Sequence, residues 1–268
     1  IPKNIVKNNT FLDSEFYDKN GEPYPNSNKD IIEKFELITG IKERRYADKN
    51  HNTSDLATFA SIEAIKDARI DKEEIDYIIV AHNFGEIDYN TNQYIALPSV
   101  ATLVKHKLEI SNENCVAYDI IFGCPGWVEG IIQAKAFINS GMAKKCLVIG
   151  ADTLSRTVDK NDRDSLIFAD GAGAAIVEKS EDGGGILSHK TITKAGKEAL
   201  YLFCKNSYSP KIKSKTKFIK MNGRKVYEFA ISTIPNALKS CIEKSGKNID
   251  DIKKIFLHQA NEKLDEAV

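Results

Sequence analysis

A cysteine between two glycines gives the strongest chemical signal in the sequence. Residues 119–127 read DIIFGCPGW, an apolar strand that ends in Gly-Cys-Pro-Gly and leads at once into an amphipathic helix. The pattern predicts that Cys124 lies at a strand-to-helix turn, where free N–H groups and the helix dipole favour the thiolate. The same N–H groups can hold the oxyanion that forms when a thiolate attacks an acyl carbonyl. We therefore predict an acyl-accepting nucleophile; the alternative is a buried cysteine at an ordinary tight turn.

His258 is the candidate partner of Cys124. It follows the apolar run 255–257, which predicts a buried strand, and precedes the polar residues 259–261, where a helix is expected to begin. A histidine at a strand end can donate to a developing enolate oxygen or transfer a proton. The alternative is a histidine that only caps backbone groups. Nothing comparable surrounds the other histidines, which are His51, His82, His106 and His189.

Apolar runs and helical periodicity predict the elements that position these residues. Buried strands are predicted at 77–81, 115–122, 146–151 and 174–178, and helices at 29–39, from 54 onward, and at 127–140. Strand, helix and strand in that order predict βαβ units and a largely parallel sheet. A weak internal repeat relates residues 64–81 to 241–258, each as a helix end, a capped acidic turn and a buried strand. It indicates a duplicated architecture.

Composition narrows the class of protein. Lys plus Arg and Asp plus Glu both number 38 in 268 residues, so the balance argues against a dedicated nucleic-acid binder, which would be strongly basic. Apolar stretches fall far short of the ~20 residues that span a bilayer, and the start of the chain lacks a signal-peptide pattern, so a cytoplasmic protein is expected.

Three further sequence features are not expected to take part in catalysis. The scattered cysteines lack C-x-x-C and histidine spacing, so no metal site is predicted. Residues 170–175, DGAGAA, resemble a phosphate loop but lack its third glycine and its Lys-Ser/Thr, so close-packed backbone is predicted instead. The lysines between 211 and 220, Lys220 included, predict a solvated face, with partner docking as the alternative.

Four motifs together resemble the β-ketoacyl-acyl-carrier-protein synthase III family of thiolase-fold condensing enzymes. They are residues 39–45 (TGIKERR), the Cys124 segment, residues 168–175 (FADGAGAA) and residues 258–261 (HQAN). The resemblance implies an α/β, thiolase-like fold, with duplicated βαβαβαββ halves in a five-layer αβαβα sandwich, and a homodimer. It places the nucleophile in a half at 1–180 and the histidine in a half at 181–268. The second half is expected to be incomplete and the chain truncated at its C-terminus, because the family's third catalytic residue, an asparagine past the histidine, has no counterpart.

The resemblance also implies a reaction. Cys124 takes an acyl group from a thioester; malonyl-acyl-carrier protein then loses CO2, and its enolate, stabilised by His258, attacks the acyl-cysteine. The acyl-CoA or acyl-carrier thioester is a substrate, so no cofactor is implied, and acyl carrier protein is the implied partner, without nucleic acid or a membrane span. The other implied site residues are Arg163, Arg224 and Asn261 for binding the thioester, Lys263 for carrier docking and Leu97 as the acyl-pocket gate.

Departures from the family pattern concern the primer. Lys34 and Ile38 stand where typical members have a tryptophan and an arginine that contact CoA, so a carrier-borne primer is an alternative to acyl-CoA. Segment 83–97 looks longer than usual, and Leu97 replaces a bulkier aromatic gate, which favours a longer or branched acyl chain. Two other functions stay open: an acyltransferase that does not decarboxylate its substrate, and a non-catalytic thiolase-fold partner subunit.

Overall fold

The computed structural model describes residues 1–180 and 184–268. Its helices are α1 Asn28–Thr39, α2 Thr53–Ala68, α3 Val100–Lys107, α4 Gly126–Asn139, α5 Gly223–Lys244 and α6 Glu262–Ala267. Its strands are β1 Asn4–Lys7, β2 Glu43–Tyr46, β3 Tyr77–His82, β4 Glu86–Ile87, β5 Tyr94–Ile95, β6 Val116–Ile121, β7 Lys145–Thr153, β8 Asp170–Glu178, β9 Leu202–Lys205 and β10 Phe218–Met221. The chain divides into two compact units, the first formed by residues 1–6, 44–157 and 169–185, and the second by residues 7–43, 158–168 and 186–268.

A four-stranded sheet in the order β6-β3-β7-β8 forms the centre of the first unit. Strand β3 runs parallel to β6 and β7, with Tyr77 opposite Val116 on one side and Cys146 on the other, while β8 is antiparallel to β7. The largely parallel sheet predicted from the sequence is confirmed. The DGAGAA segment belongs to β8, which begins at residue 170 rather than 174. The close packing predicted for it is wrong, since a Cβ atom on Gly171 or Gly173 would have no heavy atom within 4 Å.

Helices cover both faces of this sheet. Ile78, Val80 and Leu147 point to the face that packs against α2 and α3, and Ile79 and Val148 point to the face that packs against α4. The sheet residues alternate between the two cores because successive side chains of a strand point to opposite faces. A strand buried on both faces has an unbroken apolar sequence, which explains why β3 and β7 were recognisable as continuous hydrophobic runs.

Capping residues set the helix ends. In the second unit, α1 begins after Ser27, whose side chain accepts from the Asp30 N–H, and ends at Gly40, which has a φ of 71°. Glycine has no Cβ atom, so Gly40 adopts this left-handed conformation without the steric strain that other residues have there. In the first unit, Asn52 and Asp55 form a reciprocal capping box at the start of α2, one residue before the predicted beginning of that helix.

The predicted internal repeat is confirmed for its helix and turn but is wrong for its second strand. Short 3-10 turns occur in both copies, capped by Asp71 in the first and Asn248 in the second. Residues 255–257 form no strand, and the side chains of Ile255 and Phe256 are 47% and 83% exposed. An apolar run becomes a strand only when a neighbour satisfies its backbone groups, and no described strand pairs with this one. The thiolase-like halves at 1–180 and 181–268 stay a prediction.

Two glycines allow α4 to approach the sheet closely. A Cβ atom on Gly130 would lie 2.7 Å from Val148 Cγ1, and one on Gly126 would lie 2.9 Å from the Ala81 Cβ atom. Such distances are well inside van der Waals contact, so any side chain at these positions would push the helix away from the strands. None of the described helices is both long and apolar enough to cross a membrane.

We expect Gly130→Val to lower the free energy of unfolding by about 1–3 kcal/mol, because the added methyl groups overpack the contact with Val148. Urea unfolding followed by circular dichroism measures the change. Gly173→Ala is the matched control, since a Cβ atom on Gly173 has no heavy atom within 4 Å. Equal stability of the two variants would contradict the close approach of α4.

Candidate active site

Cys124 lies in a tight turn between β6 and α4. Cys124 and Pro125 are the central residues of this turn, which is closed by the Gly126 N–H donating to the Gly123 carbonyl over 2.7 Å. Cys124 is exposed, and the N-cap residue of α4, Pro125, makes no side-chain capping bond. The strand-to-helix position predicted from the sequence is confirmed. Backbone N–H groups at an uncapped helix start can stabilise an anion beside the sulfur.

Asp152, at the end of β7, fixes Asn83, which follows β3 and lies beside the Cys124 turn. Asp152 accepts hydrogen bonds from the backbone N–H of Asn83 at 3.0 Å and from its side-chain Nδ2 at 2.8 Å. The side-chain oxygen of Asn83, Oδ1, would lie 3.0 Å from a Cβ atom placed on Gly123. Glycine at position 123 therefore lets the turn pass close to Asn83. Burial raises the pKa of the Asp152 carboxyl, although the hydrogen bonds from Asn83 offset part of that effect.

Asp119 and His82 form a second hydrogen-bonded pair on the opposite side of β3, in which His82 is buried and Asp119 is partly buried. His82 is 2% exposed, and its Nε2 lies 3.0 Å from Asp119 Oδ2. Burial opposes ionisation of Asp119, but hydrogen bonds from His82 and from two backbone N–H groups outweigh it and lower the pKa of the carboxyl. The expectation that His82 has no notable surroundings is wrong. Aspartate inside the apolar run 115–122 was the available signal, because a buried carboxylate requires donors.

His258 lies in an irregular stretch of the second unit and is exposed. The predicted position at the end of a strand is wrong, because residues 255–257 are not a strand. Asn261, which follows in the same motif, caps α6: its side-chain oxygen accepts from the Leu264 N–H at 3.1 Å. This bond leaves the amide nitrogen of Asn261 as the group that could meet a substrate.

The remaining candidate residues occupy separate places in their units. In the second unit, the Arg163 guanidinium lies 4.5 Å from the Tyr24 ring centroid, while Arg224 is 87% exposed at its side chain and pairs with Glu228 at 3.0 Å. Lys263 is exposed on α6. In the first unit, Leu97 is 83% exposed in the segment that joins β3 to α3. Within residues 1–180 and 184–268, no three His, Cys, Asp or Glu side chains are grouped to hold a metal ion.

The lysine-rich segment of the second unit divides into a buried and an exposed part. Lys220 does not belong to a solvated face: its side chain is 0% exposed, and its Nζ lies 2.5 Å from Asp159 and 3.0 Å from Asp162. Its ammonium also lies 3.5 Å from the Tyr208 ring centroid. The prediction of exposure is therefore wrong for Lys220, because the two carboxylates that balance its buried charge lie 61 and 58 residues away in the sequence. Lys213, Lys215 and Lys217 are exposed as predicted.

Comparison of sequences relates the chain to known enzymes. The sequence model of the family described as 3-oxoacyl-[acyl-carrier-protein (ACP)] synthase III matches residues 118–195, a stretch that includes the Cys124 turn. The β-ketoacyl-[acyl-carrier-protein] synthase III of Fusobacterium nucleatum is 39% identical over 236 residues, covering 85% of this chain and 69% of that protein. The synthase III of Staphylococcus epidermidis is 36% identical over 267 residues, covering 99% of this chain and 75% of its own length.

Comparison of structures gives the same relationship. The β-ketoacyl-[acyl carrier protein] synthase III of Thermus thermophilus superposes with a TM-score of 0.80 at 32% sequence identity, covering 100% of this chain and 76% of that one. The α/β, thiolase-like fold class predicted from the four motifs is confirmed.

Proposed function

The chain belongs to the β-ketoacyl-[acyl-carrier-protein] synthase III family, and from this we propose how its own residues perform the reaction. It is a transferase of fatty acid biosynthesis that condenses an acyl thioester primer with malonyl-acyl-carrier protein and releases CO2. The assignment of Cys124 as nucleophile is carried by one observation: its exposed thiol stands in the turn that leads from β6 into the start of α4.

The first half-reaction moves the primer onto Cys124. The thiolate attacks the acyl carbonyl and forms a new C–S bond, and N–H groups in the first turn of α4 receive the oxyanion. Collapse of the tetrahedral intermediate breaks the original C–S bond, and the sulfur of the primer's carrier leaves as a thiolate, which takes up a proton equivalent to the one that the Cys124 thiol released. A covalent acyl-enzyme divides one difficult condensation into two easier steps.

The second half-reaction uses the acyl-cysteine as an electrophile. Malonyl thioester loses CO2, and the electrons of the broken C–C bond remain on the thioester as an enolate. His258 donates a hydrogen bond to the enolate oxygen. The enolate carbon attacks the acyl group, a C–C bond forms, and Cys124 leaves as the thiolate. No net oxidation or reduction occurs, so the step requires no redox cofactor.

Acyl carrier protein is the partner implied by the family, and we assign its docking to basic residues of the second unit. Lys263 is exposed on α6, and Lys213, Lys215 and Lys217 are exposed in the segment before β10. Lysines of this kind attract an acidic carrier by long-range electrostatics, which raises the association rate and weakens with salt. Arg163, Arg224 and Asn261 are assigned to the thioester-bearing arm of the substrate.

The test follows both half-reactions in one experiment. The protein is incubated with mass-tagged acyl thioesters and ¹³C-carboxyl malonyl-acyl-carrier protein; the Cys124 peptide is analysed for the acyl adduct and the headspace for ¹³CO2. We expect both the acyl adduct on the Cys124 peptide and the release of ¹³CO2. An adduct without CO2 would indicate a simple acyltransferase, and absence of any adduct would indicate a non-catalytic subunit.

We also propose that the enzyme forms a homodimer through β6. This strand lies at the edge of the central sheet, so one side of its backbone has no described strand beside it. Its edge is apolar: the side chains of Val116, Ile121 and Phe122 are 46%, 73% and 39% exposed. An apolar, unprotected edge strand favours pairing with another strand, and a second copy of the same strand satisfies it symmetrically.

Ile121→Lys is expected to weaken dimerisation by at least about tenfold, because a charge at a desolvated interface must lose its hydration. Analytical ultracentrifugation over a concentration series measures the dissociation constant. Leu200→Lys is the matched control, since Leu200 is also 73% exposed but belongs to the second unit and not to β6. An unchanged dissociation constant for Ile121→Lys would place the interface elsewhere.

A further inference from the structure

One partly buried carboxylate, that of Asp119, accepts hydrogen bonds from both ends of the segment that carries Leu97. Segment 83–99 connects β3 to α3 and contains the short hairpin of β4 and β5. At its start, His82 Nε2 lies 3.0 Å from Asp119; at its end, the first two N–H groups of α3 donate to the same carboxylate over 2.8 Å each. We name this arrangement the Asp119 clasp, formed by Asp119, His82, Val100 and Ala101.

The ionised state of Asp119 determines which atoms of the clasp donate hydrogen bonds and which accept them. An ionised Asp119 only accepts, so Nε2 of His82 carries the hydrogen. The other ring nitrogen, Nδ1, is buried and has no hydrogen-bond partner among the described residues. A buried nitrogen without a partner lowers stability. Packing alone therefore does not account for an imidazole at this position, whereas its bond to Asp119 does.

The clasp connects the segment to the strand that leads to Cys124. Asp119 belongs to β6 and stands five residues before Cys124 in the sequence. The backbone carbonyl of His82 also accepts from the Phe122 N–H over 3.1 Å, directly beyond the end of β6. A shift of Asp119 or His82 would therefore move the segment that carries Leu97 relative to β6, the strand that leads to Cys124.

The rest of the segment is anchored near its start and exposed near its end. Glu86 is 4% exposed and accepts from the Ser54 N–H at 3.1 Å, while the Ile87 carbonyl accepts from Arg156 at 2.9 Å. By contrast, Tyr94 is 45% exposed and Leu97 is 83% exposed. The position of Leu97 thus depends on the second anchor, which is the bond between Asp119 and the start of α3.

We propose that Asp119 and His82 are positioning residues that set which acyl chain Cys124 accepts, by fixing the segment that carries Leu97. This inference rests on the proposed roles of Cys124 as nucleophile and Leu97 as gate. A loosened clasp lets Leu97 move and admits chains that the native enzyme rejects. The turn that carries the thiol keeps its own closing hydrogen bond, from the Gly126 N–H to the Gly123 carbonyl, which involves no residue of the clasp.

The experiment is a competition for the thiol. Wild type, Asp119→Asn and His82→Phe are each given an equimolar mixture of acetyl, isobutyryl and octanoyl thioesters, once on CoA and once on acyl carrier protein, and the adducts on the Cys124 peptide are quantified by mass spectrometry. Asparagine cannot accept from all three donors, and phenylalanine keeps the ring while removing the N–H. We expect the preference for the native primer to fall by about tenfold in both variants, the size of effect that a reshaped apolar pocket produces.

Two controls make the result decisive. Ser99→Ala removes the other cap of α3, the bond from the Thr102 N–H at 3.1 Å, without touching the clasp. Alkylation of Cys124 by iodoacetamide reports whether the thiol remains reactive. Unchanged adduct ratios in the clasp variants, or an equal change in Ser99→Ala, would overturn the inference. Absence of any adduct in the wild type would instead refute the proposed function.

Discussion

Cys124→Ala is expected to reduce condensation by at least about 1,000-fold, since the variant cannot form the acyl-enzyme on which both half-reactions depend. The substitution removes only a sulfur atom from an exposed turn, so the fold has little reason to change. Measured rates of β-ketoacyl product formation and the mass of the labelled peptide test this. The loss should appear in kcat, because the missing group acts in bond making rather than in substrate binding.

Cys204→Ala is the matched control for that prediction. Cys204 is the other exposed cysteine in the described chain, and it lies on β9 of the second unit. Burial of part of its side chain raises the pKa of the Cys204 thiol, which disfavours the reactive thiolate. Full activity and an unchanged acyl adduct are expected for this variant. Condensation that survives in Cys124→Ala would remove Cys124 from the mechanism.

The Cys124 turn was predictable from the sequence because its determinants are local. An apolar run that stops at Gly123, followed by Pro125 and a helical pattern, describes a strand, a turn and a helix without reference to the rest of the chain. The helix end at Gly40 is local in the same way, since a left-handed residue is needed there. Local signals of this kind also located the strands of the central sheet to within a few residues.

The errors come from features that depend on distant partners. Residues 255–257 have a strand-like sequence, but a strand forms only where a neighbour completes its hydrogen bonds. His82 is separated from Asp119 by 37 residues, so the pair becomes visible only once β3 and β6 are aligned. In that register Val80 lies opposite Asp119. His82 is two residues after Val80, so its side chain points to the same face of the sheet as that of Asp119. A single sequence contains the residues of this pair but not the register that joins them.

The burial of Lys220 also depends on partners that are distant in the sequence, and its substitution is expected to change the free energy of unfolding the most. Its sequence neighbourhood is rich in lysine and suggested solvent exposure, yet its ammonium is enclosed by two carboxylates and a tyrosine ring. Asp159 is itself 1% exposed and also accepts from the Ser207 hydroxyl at 2.9 Å and the Tyr208 N–H at 2.8 Å. Burial opposes ionisation of Asp159, but these bonds and Lys220 outweigh it and lower the pKa of the carboxyl.

Lys220→Met is therefore expected to lower the free energy of unfolding by about 3–5 kcal/mol, because it leaves two buried carboxylates without their cation. Methionine keeps most of the side-chain volume, so the loss is electrostatic rather than a cavity. Lys213→Met, an exposed lysine in the same segment, should change stability by less than about 0.5 kcal/mol. Urea unfolding followed by circular dichroism compares the two variants.

Acid titration separates this charge network from simple packing. Because the pKa of Asp159 is lower in the folded than in the unfolded chain, its stabilising contribution is present above about pH 4 and is lost as pH falls through the folded value. In Lys220→Met the main cation that lowers the pKa is gone, so the variant should lose less stability on acidification than the wild type. Adding Asp159→Asn to Lys220→Met should restore part of the lost stability, since one uncompensated charge is removed. Equal acid sensitivity of the wild type and Lys220→Met would show that the lysine contributes through packing alone.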